Sequence, residues 1–124
     1  MVSSISGINS QFYGINASVS GMNAARTIQH VSANNIANAN TDEYLAARVE
    51  LSEAATGGVQ ATITVSEEQP VAITNPDGSE RVLSNVDLMQ EIMNTKLGGI
   101  MFQANAAAYK IQEETLGTII DTMG

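Results

Sequence analysis

The sequence predicts a mainly α protein in which N- and C-terminal helices pair in coiled-coil fashion and carry a small β hairpin or sheet as an insert. Three observations lead there. From Ile5 the apolar residues fall at Ile5, Ile8, Phe12, Ile15, Val19 and Met22, in steps of three and four. From Val86 onward they recur every eleven residues. Between them, Val59-Gln60-Ala61-Thr62-Ile63-Thr64-Val65 alternates with period two and is rich in β-branched side chains. The expected organisation is an N-terminal helical segment at 1–44, a β-rich insert at 45–83 and a C-terminal helix at 84–124, the first and last forming one helical domain.

The first segment reads as a helix that packing must hold. Gly7, Gly14, Gly21 and many Ser and Asn residues give it weak intrinsic propensity. The stripe through Ile15, Val19 and Met22 is a seam of coiled-coil type. It fades at Arg26 and Gln29, where Ala24, Ala25, Ile28, Val31, Ala33 and Ile36 broaden the face. Met1 to Ile8 have only the start of this stripe to reward ordering, so they are expected to order against a partner. Asn38-Ala39-Asn40-Thr41-Asp42 is a helix stop, because Asn tolerates the left-handed cap conformation and these side chains compete for backbone groups.

Tyr44 to Leu51 alternates loosely, as a strand or an extended linker, and Thr56-Gly57-Gly58 breaks it. After the strand at 59–65, Val71-Ala72-Ile73-Thr74 and Arg81-Val82-Leu83 flank Asn75-Pro76-Asp77-Gly78, a type I turn sequence. The expectation is one small sheet or hairpin of about three short strands, projecting from one end of the helix pair.

Ser84 or Asn85 is the expected cap of the second helix, with Asp87 near the positive end of its dipole. Along it Val86, Leu97, Ala108 and Ile119 form one eleven-residue line, and Met89, Ile100 and Ile111 another. These lines are expected to face the paired helix or a neighbouring subunit. Gly98-Gly99 inside the helix costs about 1 kcal/mol per glycine relative to alanine, which points to a kink or a close contact.

Composition narrows the function classes. The 124 residues carry a formal net charge of -8 and five Lys and Arg together, which argues against nucleic acid and an anionic membrane surface as partners. Residues 1 to 41 hold a single charged side chain, Arg26, and all 13 acidic residues lie at Asp42 or beyond. Such a long uncharged segment is expected to be covered. No cysteine is present, which excludes thiol nucleophiles, cysteine zinc sites and disulfides. His30 stands alone, so a transition-metal site or a serine triad has little to build on, and it reads as a surface or interface residue. Asp42-Glu43, Glu67-Glu68 and Glu113-Glu114 do not converge on a helix or strand and read as solvated faces. No enzyme activity, cofactor or metal is expected. No apolar run is long enough for a membrane span, and Met1-Val2-Ser3-Ser4-Ile5-Ser6 lacks the features of a cleaved signal.

Ser32-Ala33-Asn34-Asn35-Ile36-Ala37-Asn38-Ala39-Asn40-Thr41, with Ser20-Gly21-Met22-Asn23-Ala24-Ala25 before it, resembles the N-terminal signature of bacterial flagellar rod and hook proteins. Leu83-Ser84-Asn85-Val86-Asp87-Leu88, Ala104-Asn105 and Leu116-Gly117-Thr118 resemble pieces of that family's C-terminal helix. The resemblance spans about residues 15–53 and 83–123. It implies a structural subunit of the basal-body rod, whose partners are itself, other rod and hook proteins and the flagellar type III export apparatus. It also implies a periplasmic rod location reached without a cleaved signal peptide. The sequence departs from the family pattern where Gly98-Gly99-Ile100-Met101 precedes Phe102 and where Asp42-Glu43-Tyr44 follows Thr41. With its short middle it is most similar to proximal-rod-like subunits.

The residues expected to carry subunit or helix packing are therefore Ile15, Val19, Met22 and Ile36 on the first helix, the two eleven-residue lines with Ala104 and Asn105 on the second, and the amides Asn34, Asn35, Asn38, Asn40 and Asn85. An amide both donates and accepts, so the Asn run can cap its own helix and also bond across subunits. The competing reading is a helical adaptor or assembly factor of a flagellum-like appendage that binds through the same stripes without polymerising.

Overall fold

The computed structural model describes residues 2–123, and side chains from residue 7 onward. The expectation that Met1 to Ile8 order only against a partner falls largely outside the described residues. The chain runs α1 (Val2–Ala37), β1 (Ala47–Glu53), β2 (Val59–Val65), β3 (Ala72–Thr74), β4 (Glu80–Val82) and α2 (Leu88–Met123). The mainly α class, with two long terminal helices and a small antiparallel β insert between them, is the predicted one.

Each helix has 36 residues, roughly 54 Å at 1.5 Å per residue. They pack antiparallel: a Cβ built on Gly7 meets Ile119, one on Gly14 meets Gln112 and one on Gly21 meets Asn105. Seven residues up one helix match seven residues down the other, so the contact line is a heptad seam.

α1 ends where the Asn run begins. The Asn38 amide donates to the Asn34 and Asn35 carbonyls, the Thr41 amide to the Asn38 carbonyl, and Glu43 takes a left-handed φ of 61° before the chain extends. The expected cap of α2 is corrected. Asp87 caps it, its Oδ1 accepting from the Gln90 amide at 3.3 Å. Asn85 instead receives the Ala46 amide at 2.6 Å and donates to the Glu68 carbonyl at 2.9 Å, and Ser84 donates to the Ala39 carbonyl. Both side chains lie in the connection that brings the insert back to the helices, where backbone groups of Ala39, Ala46 and Glu68 take their hydrogen bonds.

The insert differs from the expected single sheet. It is two separate hairpins, β1 with β2 from Ala47↔Val65 to Glu53↔Val59, and β3 with β4 from Ala72↔Val82 to Thr74↔Glu80. The fourth strand arises because Tyr44 to Leu51, left open between strand and linker, finds a full antiparallel partner in β2. The β3–β4 turn is the predicted one: the Gly78 amide donates to the Asn75 carbonyl at 2.9 Å and Gly78 sits at φ 87°.

The first hairpin also does not project from an end. It folds back along α1, tied at its base by Asn35 to Ala47 and near its tip by the Val59 amide donating to Ser20 Oγ at 3.1 Å. Gly58, at φ 86°, brings its backbone against Ala17 and Ser20 so closely that no side chain fits there.

Candidate functional site

The seam between α1 and α2 is built from small and polar residues. On α1, Ser18, Gly21, Ala24, Ala25, Ile28, Val31, Ser32 and Asn35 are buried; on α2 only Glu91 and Gly98 are, among the described residues. Of the buried apolar side chains among the described residues, Ile28 and Val31 are the ones larger than alanine. Burying such a side chain contributes about 1.5–3 kcal/mol, so the helix pair has a thin apolar core of its own.

Close approach and hydrogen bonds hold it instead. Ser18 Oγ donates to Gln112 Oε1 at 2.8 Å, and Gln29 Nε2 to the Thr95 carbonyl at 3.3 Å. A Cβ on Gly14 would lie 2.7 Å from Gln112 Nε2, and one on Gly98 would lie 2.6 Å from Gln29 Cγ and 3.1 Å from the Ala25 carbonyl oxygen. Long side chains of one helix thus occupy the space left by glycines of the other. The Arg26 guanidinium also covers the Phe102 ring at 5.8 Å, a cation–π contact across the pair. The close contact expected at Gly98-Gly99 is present at Gly98.

Of the two faces expected for the apolar stripes, the paired helix or a neighbouring subunit, the paired helix takes up only part. Ile8, Ile15 and Met22 are part-buried, while Phe12 is 52% and Val19 is 38% exposed. At about 100° per residue the stripe lies about 100–180° around α1 from Gly21, so it and the glycine line cannot both face α2. On α2, Met89, Ile100 and Ile111 are 72%, 65% and 63% exposed. They lie opposite Glu91, about 160–200° around the helix. Leu97 is 51% exposed and Ala104 is exposed, whereas Val86, Asn105, Ala108 and Ile119 are part-buried and Ile36 lies at the surface. The eleven-residue line of Met89, Ile100 and Ile111 therefore marks the outer face, the line of Val86, Leu97, Ala108 and Ile119 runs along the flank, and the seven-residue spacing of Glu91, Gly98, Asn105, Gln112 and Ile119 marks the inner one. Glycine every seven residues was the available signal for the seam, and apolar spacing alone missed it.

The amides divide in the same way. Asn35 is fully buried. Its Nδ2 donates to the Ala47 carbonyl at 2.8 Å, and its Oδ1 accepts from the Ala47 amide at 2.9 Å and the Tyr44 hydroxyl at 2.9 Å. It stands in for a strand partner at the start of β1. Asn34 donates to the Tyr44 hydroxyl at 3.3 Å and Asn38 back to the Asn34 carbonyl at 3.0 Å. Asn105 donates to the Met101 carbonyl at 2.8 Å. Asn40 is exposed.

The acidic pairs lie at the surface as expected, and two members hold arginines: Asp42 with Arg81 at 2.7 Å and Glu68 with Arg48 at 3.0 Å. His30 is exposed on α1. Among the described residues no group of three or more His, Asp and Glu gathers as a metal site, and no helix is long and apolar enough to cross a membrane.

Against known proteins, a search of the curated sequences gives no match. A family model described as flagella basal body rod protein matches residues 15–44. That stretch holds the lower part of the outer stripe, the α1 side of the seam from Ser18 to Asn35, and the Asn turn down to Tyr44. The match covers 30 of the 124 residues and shows that this stretch is similar to the flagellar basal-body rod proteins, a structural family, which supports a rod-type structural role.

Proposed function

We propose that the chain is a self-assembling subunit of the flagellar rod, stacking with its own copies and with other rod and hook proteins into a helical axial structure that serves motility. The supporting observation is the outward apolar face of α2. Met89, Met93, Leu97, Ile100 and Ile111 are each more than half exposed along one side of a helix whose inner line is mostly polar, with Glu91, Gly98, Asn105 and Gln112. A soluble monomer rarely leaves such a stripe bare. The total surface is 8341 Å², whereas a compact monomer of 13.0 kDa exposes roughly 6,300 Å². The surplus is of the order that a specific protein interface removes.

In this reading the helical domain is 1–44 with 84–124, and 45–83 is an insert laid against it. Repeated head-to-tail contact builds an open filament when the rotation between copies does not close a ring. Met89, Ile100, Ile111 and the Phe12–Val19 side of α1 are the packing surface, with Asn34, Ile36, Asn38 and Asn40 at the end that meets the next copy. In this reading export follows the type III route into the periplasmic rod.

Light scattering at rising concentration, with probing of purified basal bodies for the chain, tests this. A stacking subunit keeps growing in mass and is present in basal bodies. A non-polymerising adaptor saturates at a defined size, and its absence from basal bodies would end the rod assignment. A chain shortened at its N-terminus should accumulate inside the cell; normal periplasmic levels would remove the type III route.

A further inference from the structure

The β1–β2 hairpin, lying along α1, leaves a cavity of about 270 Å³ between β1 and α2. Ile28 and Val31 of α1, Val49 of β1 and Leu97 of α2 give it apolar walls. Glu91 also lines it and is 2% exposed. Among the described residues neither ion pair involves Glu91, and no fully buried side-chain oxygen lacks a partner, so the Glu91 carboxylate keeps its oxygens open to the cavity. Arg48 borders the same cavity but is engaged by Glu68 at 3.0 Å.

A carboxylate set in an apolar wall attracts an opposite charge more strongly than it would in open water. The cavity is smaller than the roughly 300–1,000 Å³ typical of small-molecule sites. Its apolar walls suit an aliphatic stem, and the carboxylate with Asn94 beside it offers acceptors for a positive head group. We infer that this cavity is a socket for a single arginine or lysine side chain presented by a neighbouring subunit, with Glu91 as its counter-charge. Charge complementarity points to another chain as the source: three of this chain's five cations are engaged internally, Arg26 on Phe102, Arg48 on Glu68 and Arg81 on Asp42. Leu97 joins the socket to the outward apolar face of α2, so a neighbour stacked on that face passes over the opening. Identifying the donor as a subunit rests on the stacking reading; the preference for a cation rests on the cavity alone.

The test uses the full chain in dilute solution, titrated with N-propylguanidinium chloride and, in parallel, with neutral N-propylurea at matched ionic strength. NMR follows the Glu91 side-chain carboxyl carbon and the Val31 and Leu97 methyl groups. Saturable shifts with the guanidinium and none with the urea are expected, and Glu91→Gln should weaken the apparent affinity by about tenfold or more. Equal response to both probes, no saturation, or an unchanged response in a folded Glu91→Gln chain overturns the socket. The carboxyl signal of the unaltered chain decides the matter if that variant does not fold. Absence of the chain from basal bodies would sink the rod reading and leave this titration unaffected.

Discussion

The carboxamide of Asn105 sits directly over Gly21, with its Nδ2 held by the Met101 carbonyl one turn back at 2.8 Å, so the space above that glycine is filled by a side chain that cannot easily swing away. Gly21→Ala would drive a methyl into this amide. Overpacking of this kind costs about 1–3 kcal/mol. Gly117→Ala provides the comparison, since its Cβ would meet nothing within 4 Å and a helical Gly→Ala change stabilises by about 1 kcal/mol. Urea unfolding followed by circular dichroism should move the two midpoints in opposite directions. A shift in the same direction for both would mean that the helices are not locked in this register.

Asn35 gives a second test. Asn35→Ala removes the partners of both backbone groups of Ala47 and of the Tyr44 hydroxyl. Leaving buried polar groups unmatched costs about 1–3 kcal/mol each, so a loss near the upper end is expected. Hydrogen exchange should accelerate first at the Ala47 amide. If that amide stays protected, the bracket between α1 and β1 is not held by this side chain.

Periodicity made the helices legible almost to their ends, because apolar spacing of three and four reports helix whichever face is buried. It did not report which face. For Phe12, Val19, Ile100 and Ile111 the spacing leaves open the paired helix or a neighbouring subunit, and within this chain glycine and amide residues pack against the paired helix instead. Gly7, Gly14 and Gly21 were weighed for low helix propensity and not for the close approach that their seven-residue spacing permits. β2 is clear, since Val59 to Val65 alternates strictly; in β1 the alternation of Ala47, Val49 and Leu51 with Arg48 and Glu50 is blurred by the apolar run Tyr44-Leu45-Ala46-Ala47 before it, and pairing with β2 sets its limits. Asn35 stood out as an amide in a distinctive run. Its bond to Ala47 depends on how the chain turns at Glu43, which no local pattern reveals.

The β3–β4 turn supplies a prediction in pH. Hydrogen bonds from the Ser79 hydroxyl and then the Ser79 amide hold the Asp77 carboxyl below its ordinary value. A carboxyl whose folded value is depressed stabilises its structure above the unfolded value, about 3.9 for aspartate, and loses that contribution as pH falls through the folded value. The Gly78 and Ser79 amide signals should therefore stay constant down to about pH 4 and move only at more acid pH, and Asp77→Asn should abolish the step. Titration of those signals at or above the ordinary aspartate value would show that the turn bonds do not form.

Ile111 separates the fold of one chain from its assembly. Its side chain is 63% exposed on the outer face of α2, away from α1, so the large loss of stability that a seam position would give is not expected from Ile111→Asp. Exposed substitutions usually change stability by about 0.5 kcal/mol or less, and the variant should unfold almost where the unaltered chain does. In a stack the same residue would be covered, and an aspartate there would be desolvated without a partner, since Lys110 next to it points about 100° away around the helix. Assembly should then fail, with motility lost in cells, while circular dichroism remains unchanged. Glu114→Ala, at an exposed position on the same helix, should alter neither. Filaments or rods that form normally with Ile111→Asp would show that this face is not the one that meets a neighbour, and loss of helix content in the isolated variant would place Ile111 back inside the helix pair.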